Sequence, residues 1–324
     1  MKSPGRIILA LLALPVSAAA QEASTRPAAP TENVTVTGIK DVQKAVTDFV
    51  GTLTVPTKMT GKLARWRAKV CPIVAGLRPS AVKLVTQRVK EVAAQVGAPV
   101  DDSEKCRPNI EIVFTTTPQA LLDTIFIKYP YLLGDHDNSA QALKLATVTR
   151  PIQSWYTTAT DDLRGNVQVD GVQTGGVTMD MPFVPGGGGG SGIQTSATGM
   201  VSMNMPGARV ANVTGGRLSD GVSSDFHHVA VVAEPAKLLN FEIGSLADYI
   251  ALLALSQTPL PDHCMELPTI LNLLASGCTA PPKTLTGVDL AYLRALYKMT
   301  PTANMRGQRD EVIYQMDKSL GAPQ

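Results

Sequence analysis

Residues 244–278 read GSLADYIALLALSQTPLPDHCMELPTILNLLASGC, and the rest of the chain is read outward from them. From Leu246 to Leu255 every residue except Asp248 and Tyr249 is apolar. A helix with no wet face along most of its length must be covered on nearly all sides, so the stretch predicts a buried central helix. Ser245 followed by Asp248 has the form of a capping box. Thr258, Pro259 and Pro261 close the segment, because proline cannot continue helical hydrogen bonding. Leu267, Ile270, Leu271 and Leu274 recur at helical spacing and predict a second helix over 266–275, with Cys264 and Cys278 at its ends.

The flanks supply the layers that must cover such a helix. Residues 79–96 form an amphipathic pattern, with Val82, Val85, Val89, Val92 and Val96 at spacings of three and four, and Gly97 is placed to end it. A further helix is predicted over Asp41–Leu53, another from Gln119 to about Lys128, and a shorter one near Ala140–Ala146. Thr286 with Asp289 is a second capping-box signature, here opening a helix with Leu290, Leu293, Leu296 and Tyr297 on one side, and 306–320 predicts a last helix. Residues 62–74, 109–116, 150–157 and 225–233 read as strands, the last (DFHHVAVVA) leading straight into the central helix. From Asp161 to Gly221 the composition turns to Gly, Thr, Ser, Val and Met, with five consecutive glycines at 186–190, which predicts a long insertion or a β-ribbon with a flexible tip. Together these patterns predict one α+β domain over 34–324, with a mixed sheet packed on the central helix and a Gly-rich insertion at about 161–221.

Lys2 and Arg6, an apolar run from Ile7 to Val16 and Ala18-Ala19-Ala20 predict a signal peptide over 1–20, followed by a flexible N-terminus over 21–33. The apolar run is shorter than the roughly 20 residues a spanning helix needs, and no later run is longer. Without Lys2 and Arg6 the 29 basic residues fall to 27, equal to the acids, so no electrostatic pull toward nucleic acid is expected. Four cysteines in an exported chain point to two disulfides. The sequential pairing, Cys71 with Cys106 and Cys264 with Cys278, is expected because each pair brackets a predicted helix. The cysteine spacings match no usual zinc pattern.

Few motifs carry chemistry. The run GGGGGSG lacks the Lys-Ser/Thr of a phosphate-binding loop, and no G-x-S-x-G is present. His227 and His228 are the most conspicuous pair, but adjacent strand residues point to opposite faces, which places them poorly to grip one metal. Asp248 is a candidate acid or base on the central helix, though its position after Ser245 also suits a cap. His136 and His263 read as loop residues, and Lys62, Arg65, Arg67 and Lys69 as the polar face of a strand. The expectation is therefore no cofactor, no metal and no catalytic residue, with His227, His228 and Asp248 as the only candidates.

The segments HHVAVVA, SLADYIALLALSQ, CMELPTILNLLASGC and LTGVDLAYLRALY, with ARWRAKVCPIVAGL and CRPNIEIVFTT, resemble a group of uncharacterised exported proteins of Gram-negative bacteria. The order strand, buried helix, loop, short helix and LT-x-x-D helix is also similar to the C-terminal half of zincin-type metallopeptidase relatives. In a zincin the central helix carries H-E-x-x-H, whereas LADYIALLALSQ has neither histidine nor glutamate. The resemblance implies a zincin-like scaffold without the metal chemistry. Three readings follow. The first is a non-catalytic periplasmic or envelope protein with a binding or structural role and a possible protein or envelope partner. The second is a hydrolase with a non-standard site beside the central helix. The third is an interaction module acting through the Gly/Met-rich segment, where Met200, Met203 and Met205 could form an adaptable apolar surface.

Overall fold

A computed structural model describes residues 41–103, 105–171, 177–182, 200–205 and 219–321. The expected signal peptide, the N-terminal segment and the glycine run at 186–190 lie outside them. In chain order the elements are α1 (Val42–Leu53), β1 (Ala64–Arg65), β2 (Pro72–Ala75), α2 (Pro79–Val96), β3 (Ile110–Phe114), α3 (Pro118–Lys128), α4 (Ser139–Leu145), β4 (Ile152–Asp161) and β5 (Val167–Val169). They continue with β6 (Val177–Pro182), β7 (Met200–Met205), β8 (Ser223–Ala233), α5 (Ile243–Leu255), α6 (Gly287–Lys298) and α7 (Met305–Leu320). The fold is α+β with a mixed sheet.

The main sheet runs β2-β3-β8-β4-β5. β8 lies at its centre: β3 pairs with its second half in parallel, β1 with its first half in parallel, and β4 runs antiparallel along the other side. Strand alternation sorts the two faces. Ile110, Ile112 and Phe114 of β3 and Val229, Val231 and Ala233 of β8 join the main core with α2, α5 and α6. Val232 and Trp155 instead pack with Leu122, Leu133 and Ala146 on the opposite face. The parallel strands approach closely where β2 ends: Gly76 has φ +83°, and a Cβ there would lie 1.8 Å from the Phe114 carbonyl oxygen.

α5 is the buried helix that residues 246–255 predict, with Leu246 to Leu255 all buried. It has no glycine cap at its C-terminus. Its last carbonyls are taken by aromatic donors from three other segments, the loop after β1, β4 and α6: Trp66 Nε1 donates to Ala254 O at 2.8 Å, Tyr156 Oη to Leu253 O at 2.9 Å and Ser256 O at 3.0 Å, and Tyr297 Oη to Leu255 O at 3.0 Å. A buried helix end needs such partners because its carbonyls have none within the helix.

Three local expectations are corrected. Ser245 does not cap α5; the cap position is Glu242, and Asp248 faces other elements. Residues 266–275 hold only a short 3-10 turn, Ile270–Leu273. Pro268 interrupts the segment, and the Asn272 side chain folds it back by accepting from Met265 N and donating to the Met265 carbonyl. Residues 62–74 are not one strand but β1 and β2 separated by a loop, because Trp66 turns into the core to reach α5. The Thr286–Asp289 capping box is present as expected, and buried Asp289 also accepts from Ile270 N and Thr269 Oγ1. Disulfides join Cys71 to Cys106 across α2, and Cys264 to Cys278 across the short turn rather than a helix. Among the described residues no helix is long and apolar enough to cross a membrane.

Candidate functional site

The sheet face turned away from α5 carries the chain's unusual polar chemistry. On β4, Trp155, Thr157, Ala159 and Asp161 alternate onto it, opposite Ala230, His228, Asp225 and Ser223 of β8. Glu111 of β3 lies beside Ala230 on the same face. The apolar cluster around Trp155 occupies one end of this face, and the polar residues follow along β8 from His228 toward Asp225.

The register between β4 and β8 shifts at Thr157/Thr158: Thr157 pairs with His228 and Thr158 with Phe226, so His227 is an extra residue, a β-bulge. Phe226 and Val229 both enter the main core although three residues apart, which shows one alternation has been skipped. The regular alternation on which the expectation for His227 and His228 rested is therefore interrupted at this position. The two imidazoles are close enough that His228 helps depress the pKa of His227, after burial and ahead of Arg107; the value is pushed down to about 4.

His228 is completely buried. Its Nε2 is 3.7 Å from Glu111 Oε1, and among the described residues neither ring nitrogen has a hydrogen-bond partner. Tyr131, whose backbone carbonyl accepts from Thr157 Oγ1 at 3.3 Å, has a buried hydroxyl equally without a partner, and burial pushes its pKa up. Further along, Arg67 forms an ion pair with buried Asp161 and lies 3.9 Å from Asp225. Burial pushes the Asp225 carboxyl up to about 6, with Arg67 and Arg65 opposing. Arg65 donates to the Tyr297 and Met299 carbonyls, so its charge is also spent inside the fold. Lys62 is buried against Asp220 and the Val222 and Thr302 carbonyls. Arg65 and Lys62 therefore tie the sheet to α6 and the segment after it, Arg67 joins β4 to β8, and exposed Lys69 stands apart, so the run does not form one polar strand face.

Asp248 belongs to a different region. On α5, it accepts from Arg88 Nε of α2 and from Leu285 N at 2.9 Å, tying three segments of the main core together. None of these partners is shared with His227 or His228, and Tyr249 beside it is buried in the main core. His136 Nδ1 pairs with the Gly134 carbonyl and His263 Nδ1 with Ser276 Oγ, both in loops. Among the described residues no group of three or more His, Cys, Asp or Glu is placed to hold a metal ion.

Sequence reading named His227 and His228 but missed Glu111, Tyr131, Asp161, Asp225 and Arg67 as their company. The available signal was DFHH itself, polar residues interrupting an otherwise apolar strand. Chemically, the face offers an imidazole at His228 without a hydrogen-bond partner among the described residues and a carboxyl at Asp225 able to exchange a proton near pH 6. Compared with protein-family models, curated proteins and solved structures, the chain finds no match.

Proposed function

We propose that this chain is an exported, non-catalytic protein that uses a degenerate zincin-like scaffold for binding, with a small polar ligand taken on the β8 face away from α5. The observation that carries the reading is His228, fully buried on that face with neither ring nitrogen hydrogen-bonded among the described residues. Leaving a buried polar group without a partner costs about 1–3 kcal/mol, and a ligand that pairs with it recovers that cost. The scaffold part of the reading is supported by β8 running into a buried α5 and then, through a disulfide-clamped loop, into the capping-box helix α6. The non-catalytic part is supported by Asp248, the acid on α5, whose two oxygens are occupied by Arg88 and Leu285.

The test is a thermal-shift series with amino acids, dicarboxylates and simple sugars, run on wild type and His228→Phe. A class that raises the melting temperature of wild type and leaves the folded variant unmoved supports the reading; equal shifts in both, or none in wild type, overturn it. Elemental analysis after dialysis addresses catalysis. One zinc per chain that disappears in a His227→Ala, His228→Ala double variant would promote the hydrolase reading instead.

A further inference from the structure

The two disulfides differ in what surrounds them. Cys71 is buried where β2 meets β3: its N–H donates to Asn109 Oδ1 at 2.8 Å, and its carbonyl accepts from Asn109 N at 3.1 Å and Ile110 N at 3.4 Å. Its partner Cys106 is half-buried. Cys264 is exposed and Cys278 half-buried, both in the long connection between α5 and α6. Disulfide exchange starts when a thiolate reaches one of the two sulfurs, so access separates the two bonds.

The turn around Cys264 is closed without its sulfur. Cys264 N donates to the Ser276 carbonyl at 3.2 Å, and Ser276 donates to the Asp262 carbonyl through its N–H at 3.1 Å and its Oγ at 2.6 Å. Asn272 holds Met265 from inside, and Asp289 holds Thr269 and Ile270 against the start of α6. These bonds do not depend on the disulfide, so the turn keeps its shape when the disulfide opens. The segment after Cys278 is held differently. Among the described residues no hydrogen bond reaches residues 279–284, and Pro281 and Pro282 have no N–H to offer one. At one end Leu285 N is fixed to Asp248 Oδ2 at 2.9 Å; at the other the chain is fixed by the disulfide. The other tie is a pair of exposed side chains, Lys283 and Glu242, 3.8 Å apart, and such surface pairs hold weakly.

We propose that Cys264–Cys278 is a thiol-exchange site, and that opening it frees the strap 279–284 while the rest of the domain stays folded. The co-reactant is a dithiol. One of its thiolates attacks Sγ of the exposed Cys264, a mixed disulfide forms there, the Cys264–Cys278 bond breaks, and Cys278 leaves as a thiolate that takes a proton from water. The second thiolate of the reductant then attacks its own sulfur in the mixed disulfide and releases Cys264 as a thiol. Two electrons pass in all: the dithiol becomes a disulfide and the cystine becomes two thiols. The site is independent of the polar face on β8.

The test uses the full chain with both disulfides intact, incubated with limiting dithiothreitol at neutral pH, alkylated at intervals and mapped by peptide mass spectrometry. Cys264 and Cys278 should label about tenfold or more faster than Cys71 and Cys106, because a buried cysteine must wait for local opening. Far-UV and near-UV circular dichroism should stay at the starting values while they do. Brief trypsin treatment of the same samples reads the strap: cleavage after Lys283 should accelerate about tenfold or more once Cys264 and Cys278 are free, since a tethered segment resists the local unfolding a protease needs. The Cys264→Ser, Cys278→Ser double variant should fold, be cut after Lys283 at the fast rate from the outset, and show no further change with dithiothreitol. Equal or faster labelling of Cys71 and Cys106, loss of the circular dichroism signal in step with Cys264 labelling, unchanged cleavage after Lys283, or a double variant that does not fold would each overturn the proposal.

Discussion

Asp225 and His227 stand two residues apart on β8, and burial pushes their pKa values in opposite directions: the aspartate from 3.8 up to about 6, the histidine from 6.5 down to about 4. The carboxyl holds its proton more tightly in the folded chain, so its contribution to stability is full below about 4 and is lost as pH rises through about 6. The imidazole has the opposite sign: its contribution is full above about 6.5 and is lost as pH falls toward 4. The two effects oppose each other over one pH window. Relative to wild type, Asp225→Asn should make stability rise more steeply with pH between 4 and 6.5, while His227→Gln should make it fall. The change in slope for Asp225→Asn should integrate to about 3 kcal/mol, from roughly two pKa units at 1.36 kcal/mol each. Urea midpoints at fixed pH values measure this; slopes unchanged in both variants would show that these side chains do not titrate as buried groups. Asp248 gives a second prediction at this scale. Asp248→Ala leaves the Arg88 charge and the Leu285 N–H without their acceptor, and should lower stability by about 3 kcal/mol or more in urea unfolding.

At the level of elements, the two disulfides close loops of different size. The cysteine pairs are separated by 35 and 14 residues, so chain entropy alone makes the Cys71–Cys106 bond worth about 4 kcal/mol and the Cys264–Cys278 bond about 3 kcal/mol. Paired Cys→Ala variants should order themselves accordingly in urea midpoint. The C-terminus of α5 is open to a similar test: Tyr156→Phe removes the donor to two carbonyls and should cost about 1–3 kcal/mol, with far-UV circular dichroism unchanged. Which elements could be read from sequence follows from how local their causes are. The valine stripe of α2 with Gly97, and the Thr286–Asp289 box of α6, are written within a few residues and were legible. The 3-10 turn was not, because four leucines and isoleucines at helical spacing were overridden by Pro268 and the Asn272 side chain. The role of Asp248 was not legible either, since its partner Arg88 lies 160 positions away. The polar face was half legible: HH could be seen in the sequence, but the bulge that skips one alternation depends on pairing with β4.

Across the whole molecule, α5 is the point where the layers meet, with α2, β8 and α6 joined to it in one apolar core. Leu252, wholly buried, has no room to relax toward solvent, so Leu252→Ala should cost about 2–5 kcal/mol, read as a lowered midpoint in urea or a lower melting temperature. A loss below 1 kcal/mol would mean that α5 is not the centre of the core.

The position of β8 also governs timing. It is the strand that joins β1, β3 and β4 into one sheet, yet it follows all three in sequence, and α5 comes later still. A chain that emerges N-terminus first, from a ribosome or a translocation channel, holds β2, α2 and β3 as a small local unit. It can complete neither sheet nor core until residues beyond 223 arrive. Because the loops that β8 closes are long, their entropy must be met before the contacts return it, and folding is slow for the chain's length. Until those residues arrive, β3 has only β2 beside it and its other edge stays open.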